Sequence, residues 1–158
     1  MGSDAARALQ FFLVVRARIA AAENRPDRVA ALVEEALAID FEAARMYPGM
    51  LWWLTFALVE LGYGDRVVLE LDRERLLPWH DVALAIADGH LLEAADRLEE
   101  IGDVSSAAEV RLVALRLLSG DDRRSVVDAQ LPKVLAFYRS VGATRYVREA
   151  EALLSNVA

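Results

Sequence analysis

Turn-forming clusters interrupt this chain so often that no segment between them is longer than one ordinary helix. Each cluster pairs a residue that ends helices with one that begins them, and the intervening segments run about 10 to 20 residues. Alternating runs rich in Val, Ile and Thr are almost absent, which argues against strands. The sequence therefore predicts an all-α fold. The clusters occupy residues 24–27, 47–49, 62–65, 77–78, 88–90, 102–103, 119–122 and 142–144.

The segments between the clusters predict about eight or nine helices. Ser106 and Glu109 fit a capping box at the start of the seventh helix. Pro132 falls inside the eighth, where a proline removes a backbone hydrogen bond and costs about 3 kcal/mol. We therefore expect a kink there, or a break near Ala129. The predicted helices cover residues 4–23, 26–45, 49–61, 65–75, 78–88, 90–101, 106–118, 122–141 and 144 to the end.

Apolar residues at helical spacing indicate which faces of the first helices are buried. The third helix is apolar nearly all round, so we expect it to lie between layers. In the first helix the predicted buried positions are Leu9, Phe12, Leu13, Val15 and Ile19. In the second, which begins with Pro26 in its first turn, they are Val29, Leu32, Val33, Ala36 and Leu37.

A worn helical-hairpin repeat recurs along the chain. Its strongest copy covers residues 85–98, with Gly89 in the turn, Ala94 at a small, closely packed position and Leu98 at a large apolar position. One hairpin cannot bury its own apolar face, so neighbouring hairpins are expected to stack. The turns are anchored by residues 38, 27 and 31 positions apart, compared with about 34 in regular tetratricopeptide repeats; these anchors are Asn24, Gly62, Gly89 and Gly120.

Residues 137–154, with the sequence FYRSVGATRYVREAEALL, combine a helix end, a Gly-Ala break, a Thr cap and a second helix. This pattern closely resembles the terminal repeat near the C-terminus of large bacterial, actinobacterial-type signalling ATPases. Those proteins often carry adenylate-cyclase or DNA-binding domains, together with degenerate tetratricopeptide-like (TPR-like) helices. The resemblance covers residues 83–154 well and the rest loosely. It implies a TPR-like α-solenoid of stacked antiparallel hairpins, forming one domain over residues 1–158 with a capping hairpin over 122–158.

Charge and composition limit the partners of the chain. The net charge is −7 and the isoelectric point is near 4.9, which argues against nonspecific binding to nucleic acid or to an anionic membrane. The chain has no cysteine, so thiolate metal sites and disulfides are excluded. Neither a signal peptide nor an apolar run of about 20 residues is visible. We expect a cytoplasmic protein that binds neither nucleic acid nor membrane.

The patterns that usually mark catalysis are missing. Gly62 and Gly64 lack the later glycine and the Lys-Ser/Thr pair of a nucleotide-binding loop. His80 and His90 are ten residues apart, whereas two metal ligands on one helix are three or four apart. Adjacent acids such as Glu34 and Glu35 point to different helix faces. We therefore predict no enzyme activity, no cofactor and no metal.

Aromatic residues on the first helices of successive hairpins give the one indication of a binding site. In TPR-like stacks those positions line a concave groove, and aromatic residues dominate binding hot spots. Arg16 and Arg18 could pair with acids of a partner, or with acids one turn away in their own helix. The alternative for Trp52, Trp53 and Phe56 is that they fill the core. The predicted partner-binding residues are Phe11, Arg18, Trp52, Phe56 and Trp79.

The terminal signature also allows two interpretations. Tyr138 and Tyr146 can close the end of the core while neighbouring arginines keep the outer face soluble, or they can form a basic-aromatic site. For the whole chain we expect a non-catalytic protein-protein interaction or regulatory scaffold module from a bacterial signalling or transcription-regulatory protein. Its partner would be a protein, a peptide or a neighbouring domain of a larger chain. The alternatives are a small-molecule sensor with a pocket among Trp52, Phe56 and Trp79, and a homo-oligomerisation spacer in which the first helix pairs with itself as a homodimer.

Overall fold

The computed structural model describes residues 3–39, 48–68, 78–120 and 123–155. Within these ranges the chain forms nine α-helices and no strand, which confirms the all-α prediction. The helices are α1 (Ser3–Ala22), α2 (Pro26–Leu37), α3 (Pro48–Glu60), α4 (Gly64–Val68), α5 (Pro78–Ala87), α6 (Leu91–Ile101), α7 (Val104–Leu117), α8 (Arg123–Ser140) and α9 (Thr144–Ser155).

The chain divides into two compact units, Met1–Gly89 and His90–Ala158, whereas the sequence predicts one domain over residues 1–158. Unit 1 holds α1 to α5 and unit 2 holds α6 to α9. The boundary falls at the Gly89 turn, within residues 85–98, the segment whose sequence matches the repeat best. Each unit is described by itself below.

Unit 1 is organised around α3. The α1 and α2 helices form a hairpin, and α3 packs against α5, α4 and α1. Leu51, Leu54, Phe56 and Leu58 of α3 are fully buried, which confirms that this helix lies between layers. The predicted stripe of α2 is also confirmed, since Val29, Leu32, Val33 and Ala36 are buried and only Leu37 is partly exposed.

The buried face of α1 differs from the prediction. Of the expected stripe only Leu13 is buried, and Leu9, Phe12 and Ile19 are exposed. The polar side chain of Gln10 is also buried in the core. Its Nε2 donates hydrogen bonds to the carbonyl oxygens of Ala36 and Ile39 at the end of α2, each at 3.2 Å. Helical spacing could not separate the two faces because apolar residues lie on both. The buried residues are Gln10, Leu13, Val14, Ala17 and Ala20.

Unit 2 is a sequential stack in which α6 packs on α7, α7 on α8, and α9 on α8, with a smaller contact between α9 and α7. One apolar cluster joins α7, α8 and α9. Tyr138 is a buried member of this cluster, which favours the core interpretation of this residue. The cluster consists of Ala108, Leu112, Leu115, Val127, Leu131, Val134, Tyr138, Ala150 and Leu153.

Most predicted turns are confirmed. The four repeat anchors have positive φ: +56° at Asn24, +87° at Gly62, +81° at Gly89 and +97° at Gly120. Asn24 is the one described residue other than glycine with positive φ, a region that Asn enters more readily than most side chains. Local turn chemistry was therefore readable from the sequence.

Two helix details differ from the prediction. The α7 helix begins at Val104, because Asp103 accepts a hydrogen bond from the Ser106 backbone N–H at 3.1 Å and so acts as the N-cap in place of Ser106. The α8 helix continues through Pro132 from Arg123 to Ser140, so of the two expected alternatives, a kink or a break near Ala129, the break is wrong. The predicted extensions of the second and fourth helices over residues 40–45 and 69–75 lie outside the described residues.

Candidate partner-binding surface

Two of the predicted partner-binding residues lie in the core of unit 1. Trp52 is 4% exposed and Phe56 is fully buried, and their ring centroids are 6.4 Å apart. Both are on α3, which is covered on several sides. Neither ring can contact a partner or line a ligand pocket unless the core opens, so the geometry favours the core interpretation of these two residues.

Phe11 and Arg18 are brought together by Trp53, which the sequence assigned to the core. The Phe11 and Trp53 rings are 4.7 Å apart. The Arg18 guanidinium lies 5.8 Å from the Trp53 ring centroid and forms an ion pair with Glu60 at 2.9 Å. Arg18 therefore bridges α1 to α3, an arrangement that neither sequence interpretation included. The contacts of Phe11 and Arg18 with Trp53 therefore join α1 to α3 within unit 1.

Trp79, the fifth predicted residue, is partly exposed on α5. It makes no ring contact with any aromatic residue in the described part of the chain. The five predicted residues thus separate into a buried pair, a cluster around Trp53, and Trp79. They do not form one continuous groove within unit 1.

An exposed apolar stripe on α1 is a surface feature that the predicted partner-binding residues do not include, although the homo-oligomerisation alternative placed self-pairing on this helix. Phe12 is 61% exposed, Ile19 is 54% exposed and Leu9 is 39% exposed. Three alanines on the same side of the helix are exposed as well: Ala5, Ala8 and Ala22. A row of large apolar side chains in water commonly marks an interaction surface. The sequence contained a signal for this stripe, because the first helix has apolar residues on two faces. The predicted stripe combined the exposed residues Leu9, Phe12 and Ile19 with the buried Leu13.

Arginines gather at the end of this stripe. A surface pocket of about 160 Å³ opens where α1 ends and α2 begins, lined by Arg16, Ile19, Ala20, Glu23, Arg25 and Arg28. Arg25 is 3.3 Å from Glu23. Arg16 and Arg28 form no ion pair with any side chain of the described ranges. The pocket therefore carries more positive than negative charge, although the whole chain has a net charge of −7.

Two tyrosines stack on each other beside the turn between α8 and α9, within the predicted capping hairpin. The Tyr138 and Tyr146 rings are 4.8 Å apart and 13° from parallel. Burial, and secondarily the Glu109 carboxylate, raises the pKa of Tyr138 well above its usual value, so its phenol stays protonated at neutral pH. Beside it lies a pocket of about 350 Å³, where Arg139 pairs with Glu151 at 2.8 Å.

The described residues hold no cluster of three or more His, Asp and Glu side chains that could bind a metal ion. His80 is buried on α5. His90 occupies the N-cap position of α6 without a side-chain capping bond. No described helix is both long and apolar enough to cross a membrane.

Comparisons with protein-family models, with curated proteins and with solved structures found no match for this chain.

Proposed function

We propose that this chain is a non-catalytic protein-protein interaction module, built as a TPR-like stack of helix hairpins, whose outward α1 face binds a partner. The observation that carries the proposal is the exposed stripe of Leu9, Phe12 and Ile19 on a helix that already has a complete buried face. Core packing of α1 uses Leu13, Val14 and their neighbours, and among the described aromatic residues the second apolar face makes one ring contact, the edge of Phe12 against Phe11.

Two features support the TPR-like part of this proposal. The hairpin turns are short and have positive φ at the four repeat anchors. Within unit 1 the first helices of successive hairpins contact one another, α1 with α3 and α3 with α5, as stacked hairpins require. The resemblance of residues 137–154 to the terminal repeat of bacterial signalling ATPases gives the biological setting: a regulatory module in the cytoplasm, acting on another protein or on a neighbouring domain.

Point variants on the stripe test this function. Phe12→Ser removes the most exposed ring of α1. Leu117→Ser, at a residue that is 62% exposed on α7, is the matched control in the other unit. Both side chains are exposed, so each substitution should change stability by less than about 0.5 kcal/mol. Binding and folding are therefore separable.

The measurement is affinity capture from a bacterial lysate with wild type and both variants, followed by mass spectrometry. We expect a partner that is retained by wild type and by Leu117→Ser and lost by Phe12→Ser. Equal retention by all three proteins would reject the α1 face as the binding surface. Circular dichroism of each variant verifies that the helices are intact.

Self-association is a second candidate function, favoured by the spacing of the stripe. Ala5, Phe12 and Ile19 are seven residues apart, and so are Ala8, Val15 and Ala22. Seven-residue spacing of two apolar positions is the pattern of helices that pair as coiled coils. Light scattering of wild type and Phe12→Ser separates the two functions, because a dimer lost in the variant supports the homo-oligomer.

A further inference from the structure

The exposed apolar stripe and the arginine pocket are one continuous surface. Arg16 and Ile19 line the pocket, and Ile19 is also the last large residue of the stripe. Phe12 and Leu9 follow along the same helix toward its start. A partner that covers the stripe therefore also meets the guanidinium groups of Arg16, Arg25 and Arg28.

The shape of the stripe selects a helical partner. Apart from Leu9, its apolar positions fall into two series with seven-residue spacing, Ala5-Phe12-Ile19 and Ala8-Val15-Ala22, so they form a narrow seam nearly parallel to the helix axis. The large side chains of Phe12 and Ile19 lie in the middle of the seam, and the small residues Ala8 and Ala22 lie at its two ends. The side chains of a second helix that lies along this seam can pack into the spaces between its side chains.

The charge of the pocket selects an acidic partner. Three arginines surround one glutamate, and Arg16 and Arg28 have no ion-pair partner among the described side chains. Guanidinium groups bind carboxylates through paired, charge-assisted hydrogen bonds. Acidic side chains at the end of a docked helix would neutralise the excess positive charge as the apolar seam is covered.

From this complementarity we infer that the α1 face docks an amphipathic helix of a protein partner, with acidic side chains placed to meet Arg16, Arg25 and Arg28. The inference rests on the proposed interaction function and adds the chemistry of the partner. A parallel pairing with the α1 helix of a second copy would bring the arginines of the two copies together, so only an antiparallel pairing of the two helices competes with a separate partner. The net charge of −7 opposes approach to an anionic membrane.

Two synthetic peptides test the inference. Both have about 20 residues and leucines at the same heptad positions; one carries glutamate beside the leucines, and the other carries glutamine there. Fluorescence anisotropy gives the affinity of each peptide for wild type, for Phe12→Ser and for the double variant Arg16→Gln/Arg28→Gln. We expect wild type to prefer the glutamate peptide by about tenfold, as one or two charge-assisted hydrogen bonds would provide.

The double variant should lose this preference, whereas Phe12→Ser should weaken the binding of both peptides. Equal binding of the two peptides by wild type, or a preference that survives the double variant, overturns the inference. Failure of wild type to bind either peptide overturns it too. The proposed function is judged separately, by whether capture of a partner depends on Phe12.

The competing occupants are tested with the same proteins. Sedimentation with phosphatidylcholine vesicles, with and without phosphatidylglycerol, should leave the protein in solution. Light scattering should give a monomer. Binding to anionic vesicles that is lost in Arg16→Gln/Arg28→Gln, or a dimer that is lost in Phe12→Ser, would assign the surface to a membrane or to a second copy and overturn the inference.

Discussion

The Arg111 guanidinium of α7 donates a hydrogen bond to the Asp96 carboxylate of α6 across 2.5 Å. The same nitrogen is 2.9 Å from the Glu99 carboxylate, and Lys133 of α8 is 3.5 Å from both acids. The Arg111 side chain is 3% exposed, whereas about half of each acid remains exposed. These four charges tie α6, α7 and α8 together at the edge of unit 2.

Replacement of Arg111 by methionine should therefore lower the free energy of unfolding by about 2 kcal/mol. Breaking a fully buried ion pair costs about 3 to 5 kcal/mol. The loss of stability should be smaller here, because both acids remain hydrated and stay close to the Lys133 ammonium group. Urea denaturation measures the change. The control is Arg124→Gln, which breaks an exposed pair with Asp128 and should cost less than about 0.5 kcal/mol. Equal losses in the two variants would contradict a special role for Arg111.

Tyr138 should make unit 2 sensitive to alkaline pH. Burial and the Glu109 carboxylate raise the pKa of its phenol, so the folded state holds this proton more tightly than the unfolded state. The resulting stability is complete below the unfolded pKa of about 10 and falls above it by up to about 1.4 kcal/mol per pH unit. Urea denaturation between about pH 9 and pH 11 should show a steeper decline for wild type than for Tyr138→Phe.

Tyr146→Phe is the control for this experiment, because it alters the exposed ring of the stacked pair and leaves Tyr138 in place. Its decline should remain close to that of wild type. A Tyr138→Phe variant that loses stability with pH as steeply as wild type would show that other groups cause the alkaline sensitivity.

Gln10→Glu should destabilise unit 1 in a pH-dependent way. Gln10 is buried and donates to two carbonyl oxygens at the end of α2, so an isosteric carboxylate there would face two acceptors without a proton to donate. We expect a loss of about 3 kcal/mol at neutral pH, with partial recovery at acidic pH, where the carboxyl group is protonated. Chemical denaturation at both pH values provides the test.

Ala8→Glu introduces the same charge at an exposed position of α1 and serves as the control. It should change stability by less than about 0.5 kcal/mol. If the two variants behave alike, the hydrogen bonds from Gln10 do not determine how α1 packs on α2.

At the start of α7, the N-cap in the structure is Asp103, whereas the sequence predicted Ser106. Asp103 accepts hydrogen bonds from the Ser106 backbone N–H at 3.1 Å and from the Ser105 hydroxyl at 2.9 Å. Asp103→Ala should therefore cost about 1 kcal/mol. Ser106→Ala should cost far less, because Ser106 contributes its backbone to the cap. Thermal unfolding of the two variants tests the assignment, and a larger loss for Ser106→Ala would restore the cap expected from sequence.

Trp52→Ala should impair folding whether or not a partner is present. The indole is buried against Phe56 in the core of unit 1, and truncating a buried aromatic residue costs about 3 to 5 kcal/mol. Urea denaturation should show this loss in Trp52→Ala and almost none in Phe12→Ser. Binding lost through Trp52→Ala would then report unfolding, whereas wild-type stability in that variant would return Trp52 to the list of surface candidates.

The repeat anchors and the start of α2 were predictable because their chemistry is local. Asn24 adopts positive φ and Pro26 stands in the first turn of α2 as a direct result of their own side chains. The same reasoning failed at Ser106, because Asp103 caps the Ser106 backbone N–H and the helix therefore begins before Ser106. The sequence pattern identified the capping box at Ser106 and placed Asp103 only in the preceding turn.

The candidate site was less predictable. Leu9, Phe12 and Ile19 have the helical spacing of a buried stripe, and so do Leu13, Val14 and Ala17. The second set is buried because its smaller side chains and Gln10 fit against α2, where the end of the helix provides acceptors for the Gln10 amide. The sequence of the first helix alone therefore does not show which of its two apolar faces is buried.

The sequence by itself determined that the chain is helical and where most helices begin and end, because these features depend on residues within one or two turns. Only the tertiary structure decided that Trp52 and Phe56 are core residues, and that Phe12 and Ile19 face water. The physical reason is that apolar spacing identifies a buried face only when the opposite face is polar. Since α1 and α3 are apolar on several sides, the neighbouring helices decide which side chains lose contact with water.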